Sequence, residues 1–388
     1  MRGAGRRSRV VAAMGGAVVA CAVAACSSGA GPVQQPTNAA ASYTTVPVRA
    51  MKARAVKAVD GAIAYSPDGK KAAVQGGSSI CIVTVAASDG TGRICPKLKA
   101  PVGAVVFSPD GATAVVVEDV ARDFTGRMWL IATEDGSVRQ VSVPAGVSAE
   151  RKKATIYRTV VWPAGGAPLA LVDVPGTSAI SDHLVRIDVG SAKPEDLGVV
   201  AEGDIAADGT MVAAGHKVVF GAYRAHEPKS RLLVFDLDTK KVSQVELTGA
   251  LVGTSSRAAP VALSADGRHA ALIIDDPVKF TVAPPAQVDL GSGAVTAVTG
   301  TPGLRLAAAA YSPDGSQLAF FATPKSGAAG LSVLVAPTAK GTARTLLTEH
   351  VRSSGDFGLQ WSGDNELLPH SAPVGRVPDG VGPVALSG

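Results

Sequence analysis

The stretch Tyr65-Ser66-Pro67-Asp68-Gly69 decides the fold of this chain, because close copies of it recur along the sequence. Two copies are nearly identical, Phe107-Ser108-Pro109-Asp110-Gly111 and Tyr311-Ser312-Pro313-Asp314-Gly315. The weaker copies are Trp162-Pro163-Ala164-Gly165-Gly166, Ile205-Ala206-Ala207-Asp208-Gly209, Leu263-Ser264-Ala265-Asp266-Gly267 and Trp361-Ser362-Gly363-Asp364-Asn365. The chain therefore contains seven repeats of one local structure.

Each strong copy has the chemistry of a tight turn. Pro presets φ at the second turn position, Asp suits the third and bonds the backbone locally, and Gly supplies the left-handed residue that ends the turn. An antiparallel hairpin follows directly from such a turn. The aromatic residue before it is predicted to pack its ring between neighbouring repeats. We therefore interpret Asp68, Asp110, Asp266 and Asp314 as turn residues and not as a metal or acid–base set.

The spacing of the repeats predicts the architecture. Their opening residues are 42 to 58 positions apart, and periods of about 40 to 50 residues in a strand-rich chain indicate a propeller. Each repeat contains a strand, the turn, a second strand and a hairpin, so four strands form one blade. We predict an all-β fold, a seven-bladed β-propeller of four-stranded antiparallel blades, over residues 43–388.

The Ser-Pro-Asp-Gly copies resemble the propeller repeats of TolB and its relatives, and more loosely those of seven-bladed lactonase-like proteins. The resemblance covers roughly residues 60–370. WD40-like repeats are less similar, because no Trp-Asp pair occurs in the chain. What matches is a structural turn, so the resemblance implies the fold and says little about activity. In TolB the propeller serves protein binding in the envelope, but the identity of that partner does not carry over to this chain.

The N-terminus has the pattern of an export signal. Four arginines in the first nine residues precede an apolar run from Val10 to Ala25, which is shorter than the roughly 20 residues that span a bilayer. The run ends in Val23-Ala24-Ala25-Cys26, which resembles a bacterial lipobox. This predicts a lipoprotein signal peptide at 1–25, lipid such as palmitate on Cys26, and anchoring on the extracytoplasmic face of the cell membrane. The choice between Sec and twin-arginine export stays open.

A tether and a nearly neutral domain follow. Residues 26–42 are rich in Ser, Gly, Pro and Ala, which predicts a flexible tether. The chain has 37 Lys+Arg and 32 Asp+Glu, and removal of the four signal arginines leaves 33 against 32. This balance does not support nucleic-acid binding, which needs a clustered basic face.

Cysteine use fits an exported domain. Cys21 leaves with the signal and Cys26 carries lipid, so Cys81 and Cys95 are predicted to form a disulfide. Strands that pair symmetrically about Ser88 set the two cysteines opposite each other. A turn centred on Asp89-Gly90 offsets them instead, and two buried free thiols are the alternative.

A search for catalytic motifs finds little. The six histidines are scattered without zinc spacing, and no Gly-x-Ser-x-Gly motif occurs. We predict a monomeric, non-catalytic binding or scaffold module for an envelope protein or ligand, without cofactor or metal. The alternative is a lactonase-like enzyme whose polar residues meet in the central channel from different blades.

Binding specificity in a propeller depends on the loops between strands. The second to fifth repeats carry loops in which charged residues lie beside aromatic or polar ones, although ordinary solvated loops have the same composition. The candidate binding residues are Arg122, Phe124, Arg127, Arg151, Tyr157, Arg158, Arg224, His226, Lys279 and Phe280.

Ring closure has two possible sources in the sequence. Residues 366–370, 373–377 and 381–386 are predicted to supply later strands of the seventh blade. Tyr43 to Val59 contain the β-prone Tyr43-Thr44-Thr45-Val46, and we expect this segment to pair with the seventh blade and latch the ring.

Overall fold

The computed structural model describes residues 62–76, 79–85, 92–96, 98, 102–118, 126–145, 147, 155–175, 180–202, 205–224, 227–276, 278–279, 281–324, 331–338, 342–349, 357–361 and 367–371. The predictions for the signal peptide, Cys26, the tether, the latch at 43–59 and the strands at 373–377 and 381–386 lie outside these residues.

The described chain is a series of antiparallel sheets, each formed by strands that are consecutive in sequence. The first blade contains β1 (Ala62–Tyr65), β2 (Lys71–Gly76), β3 (Ser79–Thr84) and β4 (Arg93–Ile94). The second contains β5 (Val102–Phe107), β6 (Thr113–Glu118), β7 (Met128–Ala132) and β8 (Val138–Gln140). The third contains β9 (Ile156–Val161), β10 (Leu169–Pro175), β11 (Ile180–Asp188) and β12 (Lys193–Ala201).

Three more blades follow the same order. The fourth contains β13 (Ile205–Ala214), β14 (Lys217–Arg224), β15 (Glu227–Asp236) and β16 (Lys241–Val245). The fifth contains β17 (Arg257–Leu263), β18 (His269–Asp276), β20 (Ala286–Asp289) and β21 (Val295–Ala297), with the short β19 (Thr281–Val282) added beside β18. The sixth contains β22 (Leu304–Tyr311), β23 (Gln317–Pro324), β24 (Leu331–Pro337) and β25 (Arg344–Glu349).

The prediction of seven blades is wrong, because the described residues form six. The seventh repeat forms a two-stranded sheet of β26 (Phe357–Trp361) and β27 (Leu367–Ser371). Among the described residues the seventh repeat therefore supplies one hairpin and not four strands. The sequence after Ser371 contains three Pro and four Gly in 17 residues, a composition that disfavours strands because Pro lacks a ladder donor and Gly packs no side chain.

The two-stranded sheet lies between the last and the first blade. Each first strand contacts the first strand of the next blade, in the order β1, β5, β9, β13, β17, β22. The sheet of β26 and β27 contacts β22 on one side and β1 on the other. Among the described residues the ring is therefore completed by this hairpin, which removes the open edge that a curved row of blades leaves.

The core lies between adjacent blades. Consecutive residues of the second strands are buried, as in Ala114, Val115, Val116 and Val117 at 0 to 1% exposure. Both faces of such a strand are covered by neighbouring blades, which explains apolar runs without alternation. One cluster joins the third and fourth blades through Leu171 and Phe220, and another joins the fourth and fifth through Val219 and Leu272.

The Ser-Pro-Asp-Gly copies form the predicted turns. In the first, Gly69 has φ of 68° and donates to the carbonyl oxygen of Ser66 at 2.8 Å. The Ser66 hydroxyl donates to the Asp68 carboxylate at 2.7 Å, and that carboxylate accepts the N–H of Lys70 at 3.1 Å. The turns of the second, fifth and sixth blades repeat this network. Hydrogen bonds from the Ser108 hydroxyl and the Ala112 N–H lower the pKa of Asp110, as expected for a turn carboxylate.

The turn assigned to the fourth repeat is wrong. Residues 208 and 209 lie inside β13, where the register against β14 shifts between Ala207 and Met211. The chain reverses instead at Gly215, with φ of 54°, and His216. This copy lacks both the Ser and the Pro of the strong copies, so an Asp-Gly pair alone did not set the turn.

The aromatic residues before the turns pack between blades, as predicted. Tyr311 and Trp361 are buried. The Tyr311 hydroxyl donates to the Gln287 side chain of the fifth blade at 3.0 Å, and the Trp361 indole N–H donates to the Ala310 carbonyl oxygen of the sixth at 2.9 Å. Each ring therefore adds a hydrogen bond to its apolar contact.

The topology gives the propeller two different ends. The lower face is the end at which first strands run into second strands through the repeated turns. The upper face is the end at which first strands begin, second strands end and third strands begin. Connections on the upper face differ from blade to blade.

Candidate functional site

The binding residues predicted from the sequence lie in different parts of the structure. Arg122, Phe124, Arg151, His226 and Phe280 lie outside the described residues. Arg127, Arg158, Arg224 and Lys279 lie on the upper face, at or near the ends of β7, β9, β14 and β18. They are distributed over the second to fifth blades and do not form a single cluster.

Tyr157 is a core residue and not a loop residue. It lies in β9, is 2% exposed, and packs in the cluster between the second and third blades. Its hydroxyl donates to the carbonyl oxygen of Ser142 at 2.6 Å, and burial raises the pKa of Tyr157. The sequence pattern misplaced it because Tyr157 directly follows a charged, loop-like stretch.

A cavity of about 240 Å³ opens on the upper face of the fifth blade. It lies between the connection that precedes β17 and the one that follows β18. Leu251, Ile274, Val282 and Ala283 supply apolar wall, and Ser256, Asp276 and Lys279 supply polar groups. Because one water occupies about 30 Å³ in the liquid, the cavity has room for a group of side-chain size.

The carboxylate in this cavity is held by its own surroundings. Asp276 Oδ1 accepts the Ser255 hydroxyl at 2.7 Å and the N–H groups of Val278 and Lys279 at 3.0 and 3.1 Å. The Ser255 hydrogen bond is the main cause that lowers the pKa of Asp276. The Lys279 Nζ lies 3.5 Å from Asp276 Oδ2, and the Lys279 side chain is 66% exposed. The cavity therefore presents a hydrogen-bonded carboxylate at its base and an exposed ammonium, ion-paired with it, at its mouth.

A second polar cluster joins the third and fourth blades. Asp173 and Asp182 face each other across β10 and β11. A bulge in β9 places Arg158 outside the β9–β10 register, so no β10 residue is paired directly opposite it. The Arg158 guanidinium lies 3.6 Å from Asp173 Oδ2 and 4.0 Å from Asp182 Oδ1. It also donates to the carbonyl oxygen of Ala207 at 3.0 Å, while Asp182 accepts the Ala207 N–H at 2.7 Å. Both hydrogen bonds cross to the fourth blade.

Asp173 carries the clearest electrostatic perturbation on the upper face. Burial raises the pKa of Asp173 to about 7, the nearby Arg158 charge opposes the rise, and the adjacent Asp182 adds to it. Its Oδ1 atom is buried and has no hydrogen-bond partner among the described residues. Burial and the adjacent Asp182 carboxylate thus both favour the protonated form of Asp173.

Asp173 and Asp182 were not predicted from the sequence. Asp173 interrupts the apolar stretch Leu169–Pro175, and an acidic residue in such a buried strand needs a charged or hydrogen-bonding partner, so a signal was present there. Asp182 lies between Ser181 and His183 in the more polar strand Ile180–Asp188, where no such signal occurs. Their pairing with Arg158 depends on the β9 bulge, which no sequence pattern marks.

Cys81 and Cys95 are joined by a disulfide in the first blade. The pairs Ile82 with Ile94 and Val83 with Arg93 set the strand register symmetrically about position 88, so the two cysteines lie opposite each other. The Arg93 guanidinium donates to both sulfurs, at 3.2 and 3.3 Å.

The described part of the chain lacks two features, a metal-binding cluster and a membrane-spanning helix. No group of three or more His, Cys, Asp or Glu side chains is placed to hold a metal ion within the described ranges. No helix in that part of the chain is long and apolar enough to cross a bilayer.

Comparison with known proteins identifies similar folds only. No protein-family model matches the chain, and no curated protein matches it. A solved TolB from Agrobacterium tumefaciens is 13% identical, with 82% of this chain and 91% of that chain covered and a TM-score of 0.45. The β-propeller domain of the trilobed protease from Pyrococcus furiosus is 11% identical over 79% and 88% of the two chains, with a TM-score of 0.48. A chain of the mitotic checkpoint complex is 12% identical over 95% and 99%, with a TM-score of 0.50. This last likeness supports a β-propeller fold and carries no function across.

Proposed function

We propose that this chain is an exported, lipid-anchored β-propeller that binds an envelope protein through its upper face and performs no chemistry itself. The observation that carries the proposal is the cavity of about 240 Å³ beside Lys279. A concave site with apolar walls and a few polar groups is the usual form of a binding pocket. It lies among connections that vary between blades, where propellers and other scaffolds place their specificity.

The anchoring part of the proposal rests on the lipobox-like Val23-Ala24-Ala25-Cys26. Cys26→Ala removes the thiol that lipid would modify, so we expect loss of lipid labelling and release of the protein from membranes. The measurement is membrane fractionation together with metabolic labelling by a fatty-acid analogue. Unchanged membrane retention, with an unlabelled parent protein, would contradict the anchoring.

The binding part is tested by site-specific photocrosslinking in intact cells. A photoreactive residue replaces Arg127 or Lys279 on the upper face, and Lys70 on the lower face serves as the matched control because its side chain is 80% exposed. We expect a discrete protein adduct from the upper positions and none from position 70. Equal adducts from both faces, or adducts from position 70 alone, would refute an upper-face interface.

A further inference from the structure

The upper face carries exposed apolar side chains on three successive blades. Ile180 of the third blade is 61% exposed, Tyr223 of the fourth 43%, and Val278 of the fifth 68%. Ile180 begins a third strand, Tyr223 lies next to the end of a second strand, and Val278 lies in the connection after β18. Exposed apolar residues mark an interaction site when they are contiguous with each other or with a pocket, and Val278 meets this condition because it directly precedes Lys279 at the cavity.

The exposed Val278 lies next to the cavity of the fifth blade. Val278 directly precedes Lys279, which lines the mouth, and Leu251, Val282 and Ala283 continue the apolar surface into the wall. A pocket next to a partly apolar surface is the arrangement in which one buried anchor residue of a partner supplies most of the binding energy. A bilayer surface offers no single residue to fill such a concave site.

The charge of this face selects the partner. Its outward cations are Arg257 and Lys279 on the fifth blade, Arg127 on the second and Arg305 on the sixth, all exposed. Most of its carboxylates are turned inward and engaged: Glu118 accepts the Trp129 indole N–H, Asp182 accepts the Ala207 N–H, and Asp276 accepts three donors.

Two carboxylates on this face are accessible to solvent: Glu202 is exposed and Asp275 is partly exposed. Among the described residues the outward groups are thus mainly positive, although the mature chain is nearly neutral. Complementary charge across an interface favours the correct partner and speeds association.

We infer that the upper face of the fifth blade docks an acidic protein segment, which inserts one large apolar side chain into the cavity and pairs a neighbouring Asp or Glu with Lys279. This inference rests on the proposed function and adds the chemistry of the partner. The hydrogen bonds that Asp276 accepts from its own loop partly compensate its negative charge at the base of the cavity.

The test uses random linear peptides displayed on phage and selected on the purified protein. We expect enrichment of peptides that place a large apolar residue next to Asp or Glu. Lys279→Glu and Val278→Asp should each weaken binding of the enriched peptides about tenfold or more, and added salt should weaken it in the parent protein. Both substituted side chains are exposed, so unfolding is not expected, and a thermal melt of each variant verifies this.

Lys70→Glu and Val242→Asp are the matched controls away from the upper face, and they should leave peptide binding unchanged. Enriched peptides that are basic, peptides insensitive to the substitutions at 278 and 279, or no enrichment at all would each overturn the inference.

Flotation with phosphatidylglycerol vesicles, using Cys26→Ala protein, tests an anionic lipid bilayer as the alternative to an acidic peptide. Vesicle binding that Lys279→Glu abolishes, without enriched peptides, would assign the face to the membrane. Upper-face crosslinks obtained together with a failed peptide test would leave the proposed function standing and remove only the partner chemistry.

Discussion

The lower and upper faces of this propeller are built from the same strands but differ in how far the repeat extends. On the lower face, four turns share the same Ser and Asp hydrogen bonds, with glycine φ values of 64 to 70°. On the upper face, one connection forms a cavity, another places two aspartates against one arginine, and the fifth blade gains an extra strand. The lower face thus consists of repeated turns that support the scaffold, and the candidate site lies on the upper face, where the connections differ from blade to blade.

The largest effect on stability is expected at Asp182 of the upper face. Asp182→Ala removes the acceptor of the buried Ala207 N–H and one partner of Arg158, and should lower the free energy of unfolding by about 3 kcal/mol. Asp182→Asn keeps an acceptor and removes a like charge beside Asp173, so its cost should be much smaller. Urea denaturation measures both variants. Equal losses would show that the link between the third and fourth blades does not depend on this hydrogen bond.

The lower face is tested at its glycines. Gly315 has φ of 70°, and an added Cβ would lie 4.0 Å from the Ala265 nitrogen, which leaves it space. Gly315→Val is therefore opposed by backbone strain, of about 1 to 3 kcal/mol, and not by a clash. Gly166 in the degenerate third turn should tolerate Val better, because the left-handed residue there is Gly165, with φ of 72°. An added Cβ at Gly166 meets only Pro163, whose ring Cγ lies 3.1 Å away, so a small shift of that ring replaces the backbone strain. Melting temperatures of the two variants compare them. A parent-like melting temperature for Gly315→Val would contradict the turn assignment.

The upper face should also make stability depend on pH. The pKa of Asp173 is about 7 in the folded protein, against an ordinary value of 3.8. Between these values the folded state binds more protons than the unfolded state, so the free energy of unfolding falls as pH rises from about 4 to about 7. Above pH 7 both states are ionised and this loss stays constant.

Asp173→Asn cannot ionise and should remove this part of the slope. Partial exposure of the Asp173 side chain to solvent reduces the expected size to about 1 to 2 kcal/mol. Denaturation curves at pH 4.5 and 7.5 give the free energy of unfolding of parent and variant, and its change between the two pH values is compared. The same pH dependence in both proteins would show that other groups cause it.

The smallest effect on stability is expected at the mouth of the cavity. Lys279→Glu changes an exposed side chain whose ion pair with Asp276 spans 3.5 Å, so the free energy of unfolding should change by less than about 1 kcal/mol. Lys70→Glu, in the first lower-face turn, also loses a surface ion pair, at 3.3 Å, and should behave alike. The two substitutions should therefore differ in partner binding and not in melting temperature. A large stability loss for Lys279→Glu alone would mean that the lysine supports the loop and not a partner.

The sequence by itself determined the propeller, the blade-forming order of strands, the turn chemistry and the packing of the aromatic rings, because these depend on residues close together in the chain. Pro, Asp and Gly act within one turn, and Tyr311 directly precedes one. The register of Cys81 and Cys95 was one of two local alternatives. The number of complete blades was not determined, since a turn motif specifies a hairpin and not the third and fourth strands that must follow it.

Only the tertiary structure decided which residues meet on the upper face. Tyr157 and Arg158 are neighbours in sequence, yet strand alternation and the β9 bulge bury the first and direct the second to Asp173 and Asp182. The cavity brings Leu251 beside Val282 from two separate connections. Such contacts join residues of different strands and blades, so the packing of the ring sets them and no local pattern in the sequence records them.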